Sequence, residues 1–108
     1  MKRYGQVIRL KPEMEEKYRA LHAAVWPGVL KTIHECNIRN YSIYLRDGYL
    51  FSYFEYVGSD FDADMKKMAD DLTTQLWWDE CIPCQQPVET AGNGVWWADM
   101  DEVFHFEG

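Results

Sequence analysis

Two strand-like runs separated by one turn occupy the middle of the chain. Tyr41-Ser-Ile-Tyr-Leu-Arg46 and Tyr49-Leu-Phe-Ser-Tyr-Phe-Glu-Tyr-Val57 flank Asp47-Gly48. An Asp-Gly pair tolerates the left-handed backbone of a two-residue turn, and between two such runs it is the strongest short signal for a hairpin. Side chains alternate across a strand. Tyr41, Ile43 and Leu45 therefore share one face, with Tyr44 on the other. On the partner run Tyr49, Phe51 and Tyr53 oppose Leu50, Phe54 and Tyr56. Both faces of this hairpin carry large apolar rings.

The flanking segments complete a pattern. Residues 3–10, centred on Val7 and Ile8, predict a strand. Lys11-Pro12-Glu13 opens a helix: proline suits the first turn, and Glu13, Glu15 and Glu16 favour its positive end. That helix turns Met14, Tyr18, Leu21 and Val25 inward, with His22 on the flank of the stripe. Pro27 stops or kinks it, and Val29, Leu30, Ile33 and Cys36 resume the helical period up to Asn37, a suitable stop. After the hairpin, Ser59 or Asp60 caps a helix through Phe61, Met65, Met68 and Leu72. Thr73 or Thr74 caps a further helical piece containing Trp77-Trp78. Residues 83–94 read as a long loop, Trp96-Trp97 re-enters the structure, and residues 102–106 predict a last strand.

The order is β-α-β-β-α-β, the ferredoxin-like α+β arrangement of an antiparallel sheet with helices on one face. At 108 residues the chain makes a single domain, 1–108. Helices cover one face of the sheet only, so the second aromatic face predicts a homodimer packed sheet to sheet. A formal charge of −7 argues against nucleic acid or an anionic membrane as partner. No apolar run approaches the roughly 18 residues of a membrane span, and no signal-like segment opens the chain. Three cysteines make no disulfide framework, which suits a cytoplasmic protein. The outlier is aromatic content: five tryptophans and seven tyrosines imply an aromatic-lined cavity, a buried interface, or both.

Chemistry-bearing residues concentrate before Pro27. Tyr18, His22 and Trp26 are spaced by four, which on one helix makes a slanting row of phenol, imidazole and indole. Only the imidazole titrates near neutral pH unaided. The same row would equally serve as the core stripe of an amphipathic helix. Trp77-Trp78 and Trp96-Trp97 offer either core and interface rings or a flat platform for the C–H face of a sugar. Cys81-Ile-Pro-Cys84 has the form of a redox motif but follows a tryptophan-rich helix rather than a strand, and no second ligand pair completes a zinc site. His34 reads as a last-turn helix residue and His105 as a sheet histidine, while Asp62, Asp64, Asp70 and Asp71 read as a solvated helix face.

Together these residues resemble the L-rhamnose mutarotase family. The resemblance rests on Tyr18-x-x-x-His22-x-x-x-Trp26-Pro27, then Asn40-Tyr41-x-Ile43-Tyr44-Leu45, then Trp77-Trp78, then Trp97-Ala-Asp-Met-x-Glu-Val-Phe-His105, in order over nearly the whole chain. Ala24 stands where some relatives carry proline. The resemblance implies a dimeric α+β barrel that interconverts the α and β anomers of a 6-deoxy-hexose with no metal and no cofactor. It implies His22 as the proton donor and Tyr18, Tyr41, Trp77 and Trp78 as sugar-binding positions. The base stays open between the Tyr18 phenol and a bound water. Two other readings use the same residues: a cofactor-free monooxygenase or haem-degrading enzyme of similar barrel architecture, and a non-enzymatic module binding a ligand or metal through its cysteines.

Overall fold

The computed structural model describes Met1–Gly108 and has the expected α+β architecture. Strand β1 (Lys2–Leu10) is followed by a short 3-10 turn at Pro12–Met14 and by helices α1 (Glu15–Ala23) and α2 (Pro27–Glu35). Strands β2 (Ile38–Arg46) and β3 (Tyr49–Tyr56) form the hairpin. Helices α3 (Phe61–Asp70) and α4 (Leu72–Cys81), a 3-10 turn at Ile82–Cys84, and two short strands, β4 (Gln85–Gln86) and β5 (Ala98–Met100), complete the chain. The antiparallel sheet runs β2-β3-β1, and the edge beyond β1 is shared between β4 and β5.

Local chemistry explains the breaks. Asp47 and Gly48 both sit at positive φ (54° and 78°), the two-residue turn that pairs Arg46 with Tyr49. Asn37, at φ 66°, ends α2 in the left-handed conformation that asparagine tolerates. Pro27 does not kink one long helix: it opens a new one, because α1 is already over at Ala23, Ala24 has left the helical conformation and Trp26 is extended. Trp26 therefore leaves the row that Tyr18 and His22 share. Asp60 caps α3 by accepting from the Ala63 N–H at 3.1 Å. Asp71, not Thr73 or Thr74, caps α4, accepting from both the N–H and the hydroxyl of Thr74. A carboxylate accepts from both groups at once, so it outcompetes a hydroxyl for that place. Asp71 and Asp64 are thus not idle surface charge: Asp64 takes the Tyr56 hydroxyl and, at 3.0 Å, the Asn37 amide.

The hairpin faces divide as the alternation predicts. Leu50, Phe54 and Tyr56 are buried beneath the helices, while Tyr44, Tyr49 and Phe51 are exposed on the outer face. One irregularity matters for the site. Between the pairs Arg39↔Glu55 and Ser42↔Tyr53, two residues of β2 oppose one of β3. Asn40 takes φ 50° at this bulge. The extra residue resets the alternation, so that Ile38 lies inward before it and Ile43 and Leu45 turn inward after it. Tyr41, just past the bulge, packs edge-on against Phe54 with centroids 5.6 Å apart.

The C-terminal strand is displaced from its expected place. Ala98–Met100, not residues 102–106, pair with β1, opposite Val7, Gln6 and Gly5. Val103, Phe104 and Phe106 have strand-like composition but are 95, 81 and 75% exposed, and His105 lies outside the sheet with them. Glu102 fixes the departure point through two 2.8 Å bonds from the Arg3 guanidinium. β1 begins at Lys2, so the residues after Glu102 run past its N-terminal end and have no edge to pair with. A second departure is β4, a two-residue strand inside the expected loop that pairs Gln85 with Leu10.

Buried side chains form two clusters between sheet and helices. One gathers Ile8, Leu10, Tyr18, Val29, Leu50, Trp77, Cys81 and Cys84, and the other Ile38, Phe54 and Tyr56. They do not merge. The space between them is a cavity of about 540 Å³ lined by residues of both.

Candidate active site

The cavity wall brings together all five residues singled out from sequence: Tyr18, His22, Tyr41, Trp77 and Trp78. Its volume falls in the range of about 300–1,000 Å³ typical of small-molecule sites. Aromatic and aliphatic side chains dominate the lining, with few polar groups among them.

Helix α1 supplies the first two residues one turn apart. The Tyr18 and His22 rings stack with centroids 4.1 Å apart and planes inclined by 29°. His22 Nδ1 lies 2.9 Å from the backbone oxygen of Tyr18. A carbonyl only accepts, so Nδ1 carries a proton and donates it. In the neutral ring Nε2 is then bare and is the nitrogen left to meet a ligand. Burial holds this imidazole below its ordinary value of 6.5, opposed by the bond to the Tyr18 carbonyl. The neutral form therefore prevails at pH 7.

Helix α4 supplies the opposite wall. Trp77 is buried and meets His22 edge-on, with centroids 5.2 Å apart. It meets Trp26 in the same way, also at 5.2 Å, so Trp26 reaches the cluster from the extended residue before α2 rather than from the α1 row. Neighbours on a helix diverge by about 100°; Trp77 takes the core and Trp78 a half-buried place, yet both reach the cavity. Tyr41 enters from the sheet behind its bulge; the residue as a whole is 45% exposed, but it lines the cavity, and desolvation there pushes its phenol up to about 12. Burial likewise raises the Tyr18 phenol, against a lowering by the hydrogen bond from Gln85. Both phenols stay protonated, as hydrogen-bonding groups rather than as bases.

Two polar residues of the cavity, Gln85 and Gln6, went unmarked in the sequence. Gln85 donates from Nε2 to the Tyr18 hydroxyl at 3.2 Å, and its Oε1 accepts from the Trp96 indole N–H at 2.8 Å. Gln6 also lines the cavity and donates to Asp99 at 2.9 Å across the β1–β5 pairing. A lone glutamine in a presumed loop carries no pattern, and only the pairing of β4 with β1 shows where Gln85 points.

The cysteines do not form a redox centre of the thioredoxin kind. Cys81 and Cys84 are free and buried, and burial pushes the Cys81 thiol up to about 12 and raises that of Cys84. A reactive pair needs a thiolate and so the opposite shift. No group of three or more His, Cys, Asp or Glu side chains converges as a metal site would require. His34 is exposed at the end of α2.

The family model for L-rhamnose mutarotase matches residues 3–106. The chain belongs to the L-rhamnose mutarotase family. Among similar members, the L-rhamnose mutarotase of Lactiplantibacillus plantarum is 30% identical over 99% of this chain and all of its own. That of Phocaeicola vulgatus is 31% identical over 99% of this chain and all of its own. In fold, the chain is similar to an L-rhamnose mutarotase from Formosa agariphila, with a TM-score of 0.76 at 19% identity over 99% of this chain and all of the other. It is also similar to the tetracenomycin F2 cyclase of Streptomyces glaucescens, with a TM-score of 0.70 at 13% identity over 98% and 99% of the two chains. The latter likeness shows how widely the fold is reused and leaves the chemistry to the site. In this mutarotase-family chain that site is an aromatic cavity with one titrating imidazole.

Proposed function

We propose that this chain is a sugar mutarotase that interconverts the α and β anomers of L-rhamnose or a related 6-deoxy-hexose. The observation that carries the reading is the His22 imidazole, tied at Nδ1 and free at Nε2, inside an aromatic cavity. The ring oxygen and the anomeric hydroxyl of a pyranose share one carbon, so a single nitrogen serves both. Neutral Nε2 takes the anomeric proton; the imidazolium so formed donates it to the ring oxygen as the bond from that oxygen to C1 breaks. The electron pair of the broken bond goes to the ring oxygen, and the anomeric oxygen becomes the aldehyde. Rotation about C1–C2 and the reverse transfers close the other anomer. His22 is thus the proton donor to the ring, and acid–base help of about 10²–10⁴-fold suffices for a reaction that already proceeds in water.

Tyr18 and Tyr41 offer hydroxyls to the sugar, and Trp77 and Trp78 offer ring faces to its C–H surface and to a methyl at C6. The unit of function is the whole chain as one domain, because the helices, Gln85 of β4 and the Trp96-Trp97 pair ahead of β5 line the same cavity. A homodimer packed on the outer sheet face fits the exposure of Tyr44, Tyr49 and Phe51. Three free thiols and the absence of disulfides fit a reducing, cytoplasmic setting.

The test is anomer exchange of L-rhamnose, followed by saturation-difference NMR with wild type and His22→Ala. Acceleration by wild type that is lost in a folded variant supports both the activity and the role of His22. Acceleration that survives the substitution removes His22 from the mechanism. None with L-rhamnose or L-fucose overturns the reading.

A further inference from the structure

Gln85 takes no part in the proton transfers above, yet it is buried at 5% exposure and bridges two aromatic residues of the site. Its backbone is fixed by β4 pairing with Leu10, next to a 2.9 Å bond from the Lys11 N–H to the Cys84 oxygen. Its side chain is fixed by chemistry. An indole nitrogen only donates, so the Trp96 N–H, at 2.8 Å, requires the amide oxygen of Gln85 to face it. The amide nitrogen must then face Tyr18, and because that nitrogen also only donates, the Tyr18 oxygen is the acceptor at 3.2 Å. Trp96 thereby decides, through Gln85, which way the bond to Tyr18 runs. The Tyr18 proton is not used in that bond, and no side chain or carbonyl of the protein accepts it.

Building on the mutarotase reading, we propose that Gln85, locked by Trp96, is a positioning residue that commits the Tyr18 hydroxyl to donate its proton to an oxygen of the bound pyranose. The phenol stacks on His22, the group that moves the anomeric proton. A donor held there orients the sugar at the side of the ring where the chemistry occurs. A lone phenol would rotate between donating and accepting; the relay from Trp96 removes the second choice. The same bonds would also pin the segment after β4 to α1, so the two roles need an experiment that separates them.

Gln85→Glu makes the separation. The introduced carboxyl has nearly the shape of the amide and still accepts from Trp96. When ionised it cannot donate to Tyr18; it draws the phenol proton to itself and away from the sugar. When protonated it donates as the amide does. Anomer exchange of L-rhamnose is measured for wild type, Q85E, Y18F and the double variant across about pH 5 to 8, with folding checked by near-UV circular dichroism. The expected loss in Q85E is about tenfold at the alkaline end, the scale of one misdirected hydrogen bond. Its rate relative to wild type recovers as the pH falls, and the double variant is no worse than Y18F alone. A pH-independent ratio, or losses that multiply in the double variant, overturns the proposal and leaves Gln85 as a clasp. If Q85E does not fold, W96F, which frees the amide to turn over, takes its place in the same cycle, with loss absent in the Y18F background expected and multiplying losses overturning. An inactive wild type on L-rhamnose and L-fucose overturns the mutarotase reading and this proposal with it. An active wild type with multiplying losses overturns the proposal alone.

Discussion

The backbone carbonyl of Tyr18 sits 2.9 Å from Nδ1 of His22, on the same helix whose next turn stacks the two rings. Helix geometry alone brings an i, i+4 pair together. Here it also selects the tautomer, since the carbonyl holds the proton on Nδ1. The nitrogen left free to meet a ligand is chosen by the backbone.

That relation gives the pH dependence a sign. Catalysis in the proposed cycle begins with neutral His22, and burial lowers its pKa from 6.5. Exchange is therefore expected to be flat around pH 7 and to fall on the acid side with a midpoint below 6.5. Stability moves in the same direction. A histidine whose folded pKa is depressed binds fewer protons folded than unfolded, so its contribution is present above the unfolded value and is lost as the pH falls towards the folded one. His22→Gln is expected to remove the acid limb of exchange together with the activity and to flatten the decline of stability below 6.5. Exchange rates and urea midpoints across the acid range check the two halves separately. An acid midpoint above 6.5 contradicts the burial argument.

The adjacent tryptophans are expected to separate stability from binding. Trp77 is 6% exposed and meets both His22 and Trp26 edge-on. Trp77→Ala opens a cavity in the core and is expected to cost about 3–5 kcal/mol, a typical loss for a buried large aromatic. Trp78 is half-buried and lines the cavity. Trp78→Ala is expected to lower the affinity for sugar more than the stability, with KM rising and the urea midpoint nearly unchanged. Equal loss of stability in both variants contradicts this division.

The bulge at Asn40 is a positioning device for Tyr41. Asn40 occupies φ 50°, and its amide donates to Glu55 at 2.7 Å. Asn40→Val places a branched side chain in the left-handed region and is expected to cost about 1–2 kcal/mol. Asn40→Gly keeps the backbone free and is expected to be milder. Because the bulge sets the direction of Tyr41, Asn40→Val is also expected to raise KM for the sugar, whereas Asn40→Gly leaves it near wild type. Chemical denaturation and anomer-exchange kinetics on the two variants test this.

Much of the molecule was legible before its structure. The hairpin at Asp47-Gly48, the stop at Asn37 and the two faces of β3 follow from backbone preferences and alternation that act over a few residues, and all three appear as expected. The five cavity residues were recognisable as ordered motifs and converge in space. What failed depended on tertiary neighbours. Val103, Phe104 and Phe106 look like a strand, but a strand needs an edge, and the edge of β1 is taken by Ala98–Met100. The row of Tyr18, His22 and Trp26 assumed a continuous helix, which ends at Ala23 before the proline is reached. Gln85 has no local signature at all. Its hydrogen bonds exist only where β4 meets β1 and the Trp96 indole N–H reaches its amide oxygen.

The outer sheet face carries the proposed dimer, and one position there tests it. Phe51 pairs with Tyr44 across the hairpin, and its side chain points away from the helices beside Tyr49. Their shared exposure on one side of a two-layer structure leaves an apolar patch that a second copy would cover with its own. Phe51→Lys places a charge at the centre of that patch and is expected to weaken association at least about a hundredfold, as loss of a central anchor does. Since the residue does not line the cavity, the separated protomer is expected to keep its affinity for sugar unless dimerisation shapes the site. Sedimentation velocity over a range of concentrations reads the first effect and sugar titration the second. A wild type that stays monomeric at high concentration removes the dimer; a dimer unchanged by Phe51→Lys moves its interface to another face.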